Sequence, residues 1–413
     1  MFHPIKNQKL LARRSQSKIK NCIVWLLAIC RLSFAQQQVD MDEAVAIALA
    51  NHPVARNIAL AEQKDILMQQ QTVDLAPLQI KYWQRHAQTG NDRLWSVTQD
   101  FGAIPEHFRR AQHYRTQTSA RQTERALTLD HLAWQVKAAY MDVVYCRQRL
   151  RMMQEHNPYF ETLISIAETR LTADSIPKLM MVSTGARYAA YQSRMYIAEE
   201  ELKRAEIRLC QLMYLPDGNI EPDDFELELY RIHPEKYADD RFDPVKHKAM
   251  DEAQLTEAKS LVKLEKSKLY PAIHAGYIYQ NIEGMNDYHG WMAGLSVPLW
   301  MQPQRARIKQ AEIDVKIKAG ETEYRQFADM QHVETLKSLL NEYFVQISFY
   351  RENLLIEARL VIEEVEKDFA ADRISNIAEM ITKVSNAVVA KLNCLGYICL
   401  YNQTALELEY YTQ

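Results

Sequence analysis

The sequence predicts a mainly α-helical protein with a small β part, in which a strand hairpin followed by a long coiled-coil helical hairpin occurs twice. Three observations predict it. Similar words recur at a nearly constant shift, the helical stretches are very long, and each copy carries short alternating runs suited to strands.

The repeat comes first. Leu75-Ala76-Pro77 opens the alternating run Leu78-Gln79-Ile80-Lys81-Tyr82, and Leu269-Tyr270-Pro271 opens Ala272 to Tyr279 at a shift of 194 positions. His52 and His247 are 195 apart, and Tyr140 and Tyr343, both in helical stretches, are 203 apart. A shift that drifts by only about ten residues marks a duplicated architecture with small insertions. Strands and helices interleave, so the 413 residues read as one elongated unit. The divisions are 1–35, 36–213 for the first repeat, 214–246 for a linker, and 247–413 for the second repeat.

Ten glycines and thirteen prolines are present, about half the usual share of each, which fits long helices with few turns. The net charge of -3 offers no basic excess for nucleic acid. At the N-terminus Lys6, Lys9, Arg13, Arg14, Lys18 and Lys20 precede an apolar run from Cys22 to Ile29, and Ser33-Phe34-Ala35 supplies small residues for a signal peptidase. The run is too short to span a bilayer, which takes about twenty residues, so 1–35 reads as a signal peptide and the mature chain begins near Gln36. Leu27-Ala28-Ile29-Cys30 faintly resembles a lipoprotein box, against which bulky Ile29 argues. No transmembrane helix is expected after cleavage, so any membrane crossing falls to strands. The remaining cysteines, Cys146, Cys210, Cys394 and Cys399, lack CxxC spacing and read as thiols on helix interfaces.

From Glu321 to Leu395 there are 75 residues with neither glycine nor proline, about 110 Å as a single helix. Leu336, Leu340, Tyr343, Ile347, Tyr350 and Leu354 alternate steps of four and three, as do Leu129, Ala133, Val136, Tyr140, Val143, Arg147 and Leu150. That rhythm is a left-handed coiled-coil seam. Each stretch folds back on itself, at Arg170–Pro177 in one copy and at Phe369–Ser375 in the other. Asp174 and Asp372 suit the left-handed backbone of a tight turn, with Ser175 and Ser375 as caps for the next helix. The segment 214–246 holds Pro216, Pro222, Pro234, Pro244 and many acids, the composition of a solvated linker. Its acids lack the spacing of a calcium loop.

Trp291, Ala293, Leu295, Val297 and Leu299 alternate with Met292, Gly294, Ser296 and Pro298, and Trp95 and Val97 alternate with Ser96 and Thr98. Asn91-Asp92 and Asn286-Asp287 fall in the hairpin connections. Two hairpins give four strands of about ten residues, the length of a tilted strand across hydrocarbon. Trp291, Ala293, Leu295 and Val297 are then lipid-facing. Four strands cannot close a barrel, so several protomers must pool theirs, because an open edge in lipid leaves backbone groups unpaired. The same alternation also fits a small soluble sheet flanked by helices.

With these residues in place, the order helix, strand hairpin, helical hairpin, twice over behind a signal, resembles the TolC-type outer-membrane efflux channels. Met41 to Pro53 resembles the family's opening helix. Leu295-Ser296-Val297-Pro298-Leu299-Trp300 followed by Gln304-Arg305-Ala306-Arg307-Ile308 resembles its strand-to-helix transition, and Val97-Thr98-Gln99-Asp100-Phe101 is closer to the branch that exports metal cations. The resemblance implies a homotrimer with a twelve-stranded barrel in outer-membrane lipid of a Gram-negative cell, continued by a helical periplasmic tunnel. It also implies a periplasmic adaptor protein and an inner-membrane pump as partners. Family members often carry glycine at the hairpin turn and acids just beyond. Here Asp174 and Asp372 stand at the turns, and Met180 and Ala378 where the acids belong, so Asp174, Asp372, Arg373 and Glu379 become the gate candidates, or simply turn residues.

No HExxH, nucleotide loop or GxSxG is present, so no enzyme activity and no cofactor are expected. Met285, His289 and Met292 hint at soft-metal cargo, as would any such residues in a loop at the membrane edge. A periplasmic coiled-coil adaptor or scaffold is the competing function; it accounts for the helices but not for duplicated amphipathic hairpins.

Overall fold

The computed structural model describes residues 37–87, 90–215, 220–222, 227–230, 246–282, 285–371 and 376–412. The signal-like segment and the turn residues Asp372, Arg373 and Ser375 lie outside these.

The first copy opens with β1 (Gln37–Val39), α1 (Met41–Asn51) and α2 (Pro53–Gln70). Asp40 and Glu43 form a capping box at the start of α1. His52 ends that helix and starts the next: its Nδ1 accepts the Val54 N–H at 3.2 Å, with Pro53 at the first helical position. The strands β2 (Gln79–Ala87) and β3 (Gly90–Gly102) follow, then α3 (Ile104–Thr172) and α4 (Lys178–Met213). After β4 (Ile220–Pro222), the second copy runs α5 (Lys248–Ser267), β5 (Ala272–Ile282), β6 (Met285–Ser296), α6 (Gln302–Phe349), a π-helical turn at Tyr350–Leu354, α7 (Leu355–Ala370) and α8 (Ile377–Thr412). The 48, 5 and 16 residues from Gln302 to Ala370 together equal the 69 of α3. Two equal helical struts thus carry the molecule, as the duplication predicts.

α3 packs against α4, α5 and α8, and α8 packs against α6 and α7. Along the predicted seams Val136, Tyr140, Val143, Leu336 and Ile347 are buried, and the other apolar seam residues are half-buried. Tyr140 is fully enclosed and donates its hydroxyl to the Val39 carbonyl at 3.0 Å, fixing β1 to the strut. A second core nearer the hairpin turns gathers Met153, Phe160, Leu163, Ile377, Ile381 and Val384. α8 is long and apolar enough to cross a membrane, but Val384, Val388, Leu395 and Ile398 are buried among the other helices, so it is a core helix.

Among the described residues Cys146, Cys210, Cys394 and Cys399 are free thiols, with Cys394 and Cys399 buried, and burial pushes Cys399 up to about 12.

Within the acidic segment, residues 220–222 and 227–230 are described, and these lie on the helical body. β4 pairs in parallel with β1, and Leu227 is buried. Asn402 of α8, fully enclosed, accepts the Tyr230 N–H at 2.7 Å and donates to the Glu228 carbonyl at 2.8 Å. A few apolar residues and one buried amide hold these described residues on the helices.

Candidate functional site

The strands form one antiparallel sheet in the order β2-β3-β5-β6. Its register places Ile80, Val97, Tyr277 and Trp291 in one row across all strands, and Tyr82, Trp95, Tyr279 and His289 in the next. Toward the helices the same face continues through Ala275 and Ala293 to Ile273 and Leu295. Trp291 is 88% exposed, and Ile80 and Leu295 are exposed as well. The opposite face carries Gln79, Lys81, Ser96, Thr98, His274 and Ser296, with glycines at 276, 290 and 294. At Gly294 a Cβ would lie 2.2 Å from His274 Nε2, so glycine is what lets that imidazole lie flat over the polar face. One face is therefore a broad apolar surface, and among the described residues the outer strands β2 and β6 each have an unpaired edge.

Three sequence expectations change here. Val297 lies just beyond β6 and not within it, because the strand ends at Ser296 ahead of Pro298. Asn91-Asp92 and Asn286-Asp287 belong to the strands and not to the connections, since Asn91 pairs with His86 and the chain is already paired from Met285. His289 and Met292 lie on opposite faces, three residues apart in a period of two, and His289 meets the Tyr277 hydroxyl, so no soft-metal set assembles between them.

The sheet continues into helices on one side only, and this overall fold is shared with known proteins. CusC, described by crystal structures that follow folding and transmembrane channel formation, matches at a TM-score of 0.72 with 14% identity, over 92% of this chain and 95% of that one. The outer-membrane protein VceC of Vibrio cholerae matches at 0.71 with 11% identity, over 90% and 94%. The open state of the Neisseria gonorrhoeae MtrE outer-membrane channel matches at 0.69 with 12% identity, over 90% and 88%. This chain has the fold of an outer-membrane channel. No family model and no curated protein sequence matches it.

In this channel fold the hairpin turn between α3 and α4 lies at the end of the strut far from the sheet, and the turn residues 372–375 lie outside the described residues. Asp174 has φ 55°, the left-handed conformation expected of it, and Ser175 N–H reaches back to the Arg170 carbonyl at 2.8 Å to close the helix end. The expected cap at Ser175 is not used, and Ser375 lies outside the described residues. Ser175 Oγ bonds the Ala173 carbonyl, and Pro177 stands at the cap of α4. At α8 it is Asn376 that accepts the Glu379 N–H, at 3.3 Å. Glu379 itself pairs with Lys383 at 2.7 Å, and that ammonium holds its carboxyl below the usual range. Asp174 is exposed, and no hydrogen bond or ion pair joins it to Glu379 among the described residues.

The channel fold also buries charge that the sequence reading missed. Asp65 of α2, 2% exposed, pairs with Arg121 at 2.8 Å and Arg125 at 2.6 Å of α3. Asp251 of α5 pairs with Arg325 of α6 at 2.6 Å. The local signal was slight: Arg121 and Arg125 share one helix face at i and i+4.

His156 of α3 is buried against α8. Its Nδ1–H donates to the Met152 carbonyl at 2.8 Å, leaving Nε2 to accept from Lys391 Nζ at 2.9 Å. Burial, then the Lys391 charge, lower the pKa of His156 below 6.5. The unfolded chain therefore binds the proton more readily, so stability is full above about pH 6.5 and falls as pH drops through the folded value. The expected result is a larger loss of melting temperature between pH 7.5 and 5.5 in the wild type than in His156→Gln; equal losses would remove this imidazole from the acid response.

Proposed function

We propose that the chain is the outer-membrane duct of a tripartite efflux system: a homotrimer whose strands close a twelve-stranded barrel and whose helices extend it as a periplasmic tunnel toward an adaptor and an inner-membrane pump. The observation that carries this reading is the sheet with one apolar face and two unpaired edges. Inside a bilayer such edges cost several kcal/mol per unpaired group, and β6 of one copy meeting β2 of the next removes them while keeping every neighbour antiparallel. The apolar rows then face lipid, and the row of serine, threonine, histidine and glycine faces the bore. The periplasmic scaffold alternative explains the struts but leaves Trp291, Ile80 and Leu295 exposed to water.

The test is assembly and conduction. The mature chain purified from outer membrane in mild detergent is expected to run as a trimer and to give discrete conductance steps in planar bilayers. A soluble periplasmic monomer without conductance would overturn the reading.

The gate is placed at the hairpin turns, on Asp174, Asp372, Arg373 and Glu379. Glu379 is already paired within its helix, so this reading assigns the contacts between protomers to the aspartates and Arg373. Exposed pairs contribute only about 0–1 kcal/mol each, so a closed tip rests on several together. Replacing Asp372 and Arg373 together by alanine should raise resting conductance in planar bilayers above that of either single variant. Wild-type conductance in the double variant would reduce these residues to turn formers.

A further inference from the structure

Between α5 and α6, beside the sheet, runs a groove of about 700 Å³. Lys259, Lys263 and Lys266 line it from α5 at steps of four and three, and Lys309 and Lys316 from α6. All five are exposed. Lys266 pairs with Glu312 at 2.7 Å, whereas the other four have no ion-pair partner among the described residues. Val262 and Ile313 make its floor. On the opposite flank, also open, Glu257 of α5 and Asp314 and Lys318 of α6 stand beside Arg121 and Glu124 of α3, a mixture of both signs. Of the two grooves, the one between α5 and α6 carries the excess of positive charge.

Its position gives that charge a meaning. α5 ends at Ser267 just before β5 begins at Ala272, and β6 ends at Ser296 just before α6 begins at Gln302. The two joins expose Tyr270, Leu299 and Trp300, the last at 89%. Passing from strands to helices, the surface changes from the apolar row of Trp291 and Leu295 to aromatic residues at the joins, and then to lysines. That order is the one a membrane boundary selects: hydrocarbon, an aromatic girdle, and long cationic side chains whose stems lie on apolar surface while their heads reach the phosphates. Lys263 is about one turn from the end of α5, and Lys309 about two turns into α6, roughly 6 and 10 Å of rise. Lys259 and Lys316 lie deeper.

We propose that this groove seats anionic phospholipid headgroups of the leaflet on the helical side of the barrel, with Lys263, Lys266 and Lys309 as the phosphate contacts and Lys259 and Lys316 extending the positive field beneath them. The inference rests on the outer-membrane reading above, and it adds a lipid class and a site. The helix flank that carries it must face out of the tube, and the mixed-charge flank must face the bore. Each lysine near an anionic surface adds attraction that salt screens within about 8–10 Å.

The experiment compares the full mature chain with Lys263→Gln/Lys309→Gln and Lys259→Gln/Lys316→Gln, all of which keep the Lys266–Glu312 pair. Each is reconstituted into phosphatidylcholine vesicles and into vesicles containing phosphatidylglycerol, and thermal stability is read. All are expected to insert into phosphatidylcholine alike, which reports the barrel. Phosphatidylglycerol is expected to stabilise the wild type, and 0.5 M salt to remove most of that gain, since screening at high salt reaches only about 3–4 Å. In Lys263→Gln/Lys309→Gln the phosphatidylglycerol needed for half of the gain should rise about tenfold to thirtyfold, and by less in the deeper pair. Equal gain in all three proteins would overturn the proposal, as would a larger loss in the deeper pair, which would indicate a soluble polyanion instead. Failure of the wild type to insert into phosphatidylcholine would overturn the barrel, and this inference with it.

Discussion

Asp65→Ala is expected to destabilise the helical body by about 3–5 kcal/mol, the cost of breaking a buried ion pair by removing one partner. The carboxylate is 2% exposed and lies between two guanidinium groups, at 2.8 Å from Arg121 and 2.6 Å from Arg125. Without it Arg125, with a side chain 16% exposed, keeps a buried charge and faces another cation. Arg121 is 38% exposed and partly relieved by water, so most of the cost falls on Arg125. Asp251→Ala should cost less, because Arg325, its one ion-pair partner among the described residues, is itself 32% exposed. Denaturant unfolding followed by helical circular dichroism measures both. A loss for Asp65→Ala no larger than for Asp251→Ala would show that the second arginine adds nothing.

Val97→Arg is expected to cost about 2–4 kcal/mol, the penalty of an arginine at the lipid midplane of a barrel. Val97 sits on inner strand β3, in the second row of the apolar face counted from the aromatic row of Trp95, between Ile80 and Tyr277. Its neighbour Ser96 points to the polar face, so Ser96→Arg should be better tolerated although it lies one residue away. Leu295→Arg, in the row nearest the helices, should cost less than Val97→Arg, because the penalty falls to about 0–1 kcal/mol at the interface. Trimer yield from outer membrane and unfolding in lipid vesicles report the effect. Equal tolerance at Val97 and Ser96 would disconnect the alternation from lipid.

The duplication was legible because Leu75-Ala76-Pro77 and Leu269-Tyr270-Pro271 both sit where a helix gives way to a strand, and such joins have few chemical solutions. The coiled-coil seams were legible for the same local reason. What the sequence hid depends on distance along the chain. Asn402 holds Tyr230 across 172 positions, and Asp65 meets Arg121 across 56, and neither partner looks unusual in its own helix. Leu299 and Trp300 stood in plain view in the strand-to-helix word, but only their exposure beside the sheet gives them the look of a girdle. The cap at Ser175 was misread because the turn runs two residues further, to Pro177, before the next helix begins. The residues Asp372 and Arg373 remain a proposal, resting on the resemblance and on their pairing with Asp174 in the repeat.

The equality of the two struts has a further consequence for how such a chain tolerates change. One residue inserted into a helix advances everything beyond it by about 1.5 Å and turns it by about 100°. In a wall made of paired struts, that error would set one turn ahead of its neighbour and rotate a seam off its partner. The π-helical turn at Tyr350–Leu354 is the form a single added residue takes when a helix absorbs it locally as a wider loop of backbone. Insertions and deletions in descendants of this gene should therefore collect in the segment between the copies and in the strand connections, while the struts change length together or not at all.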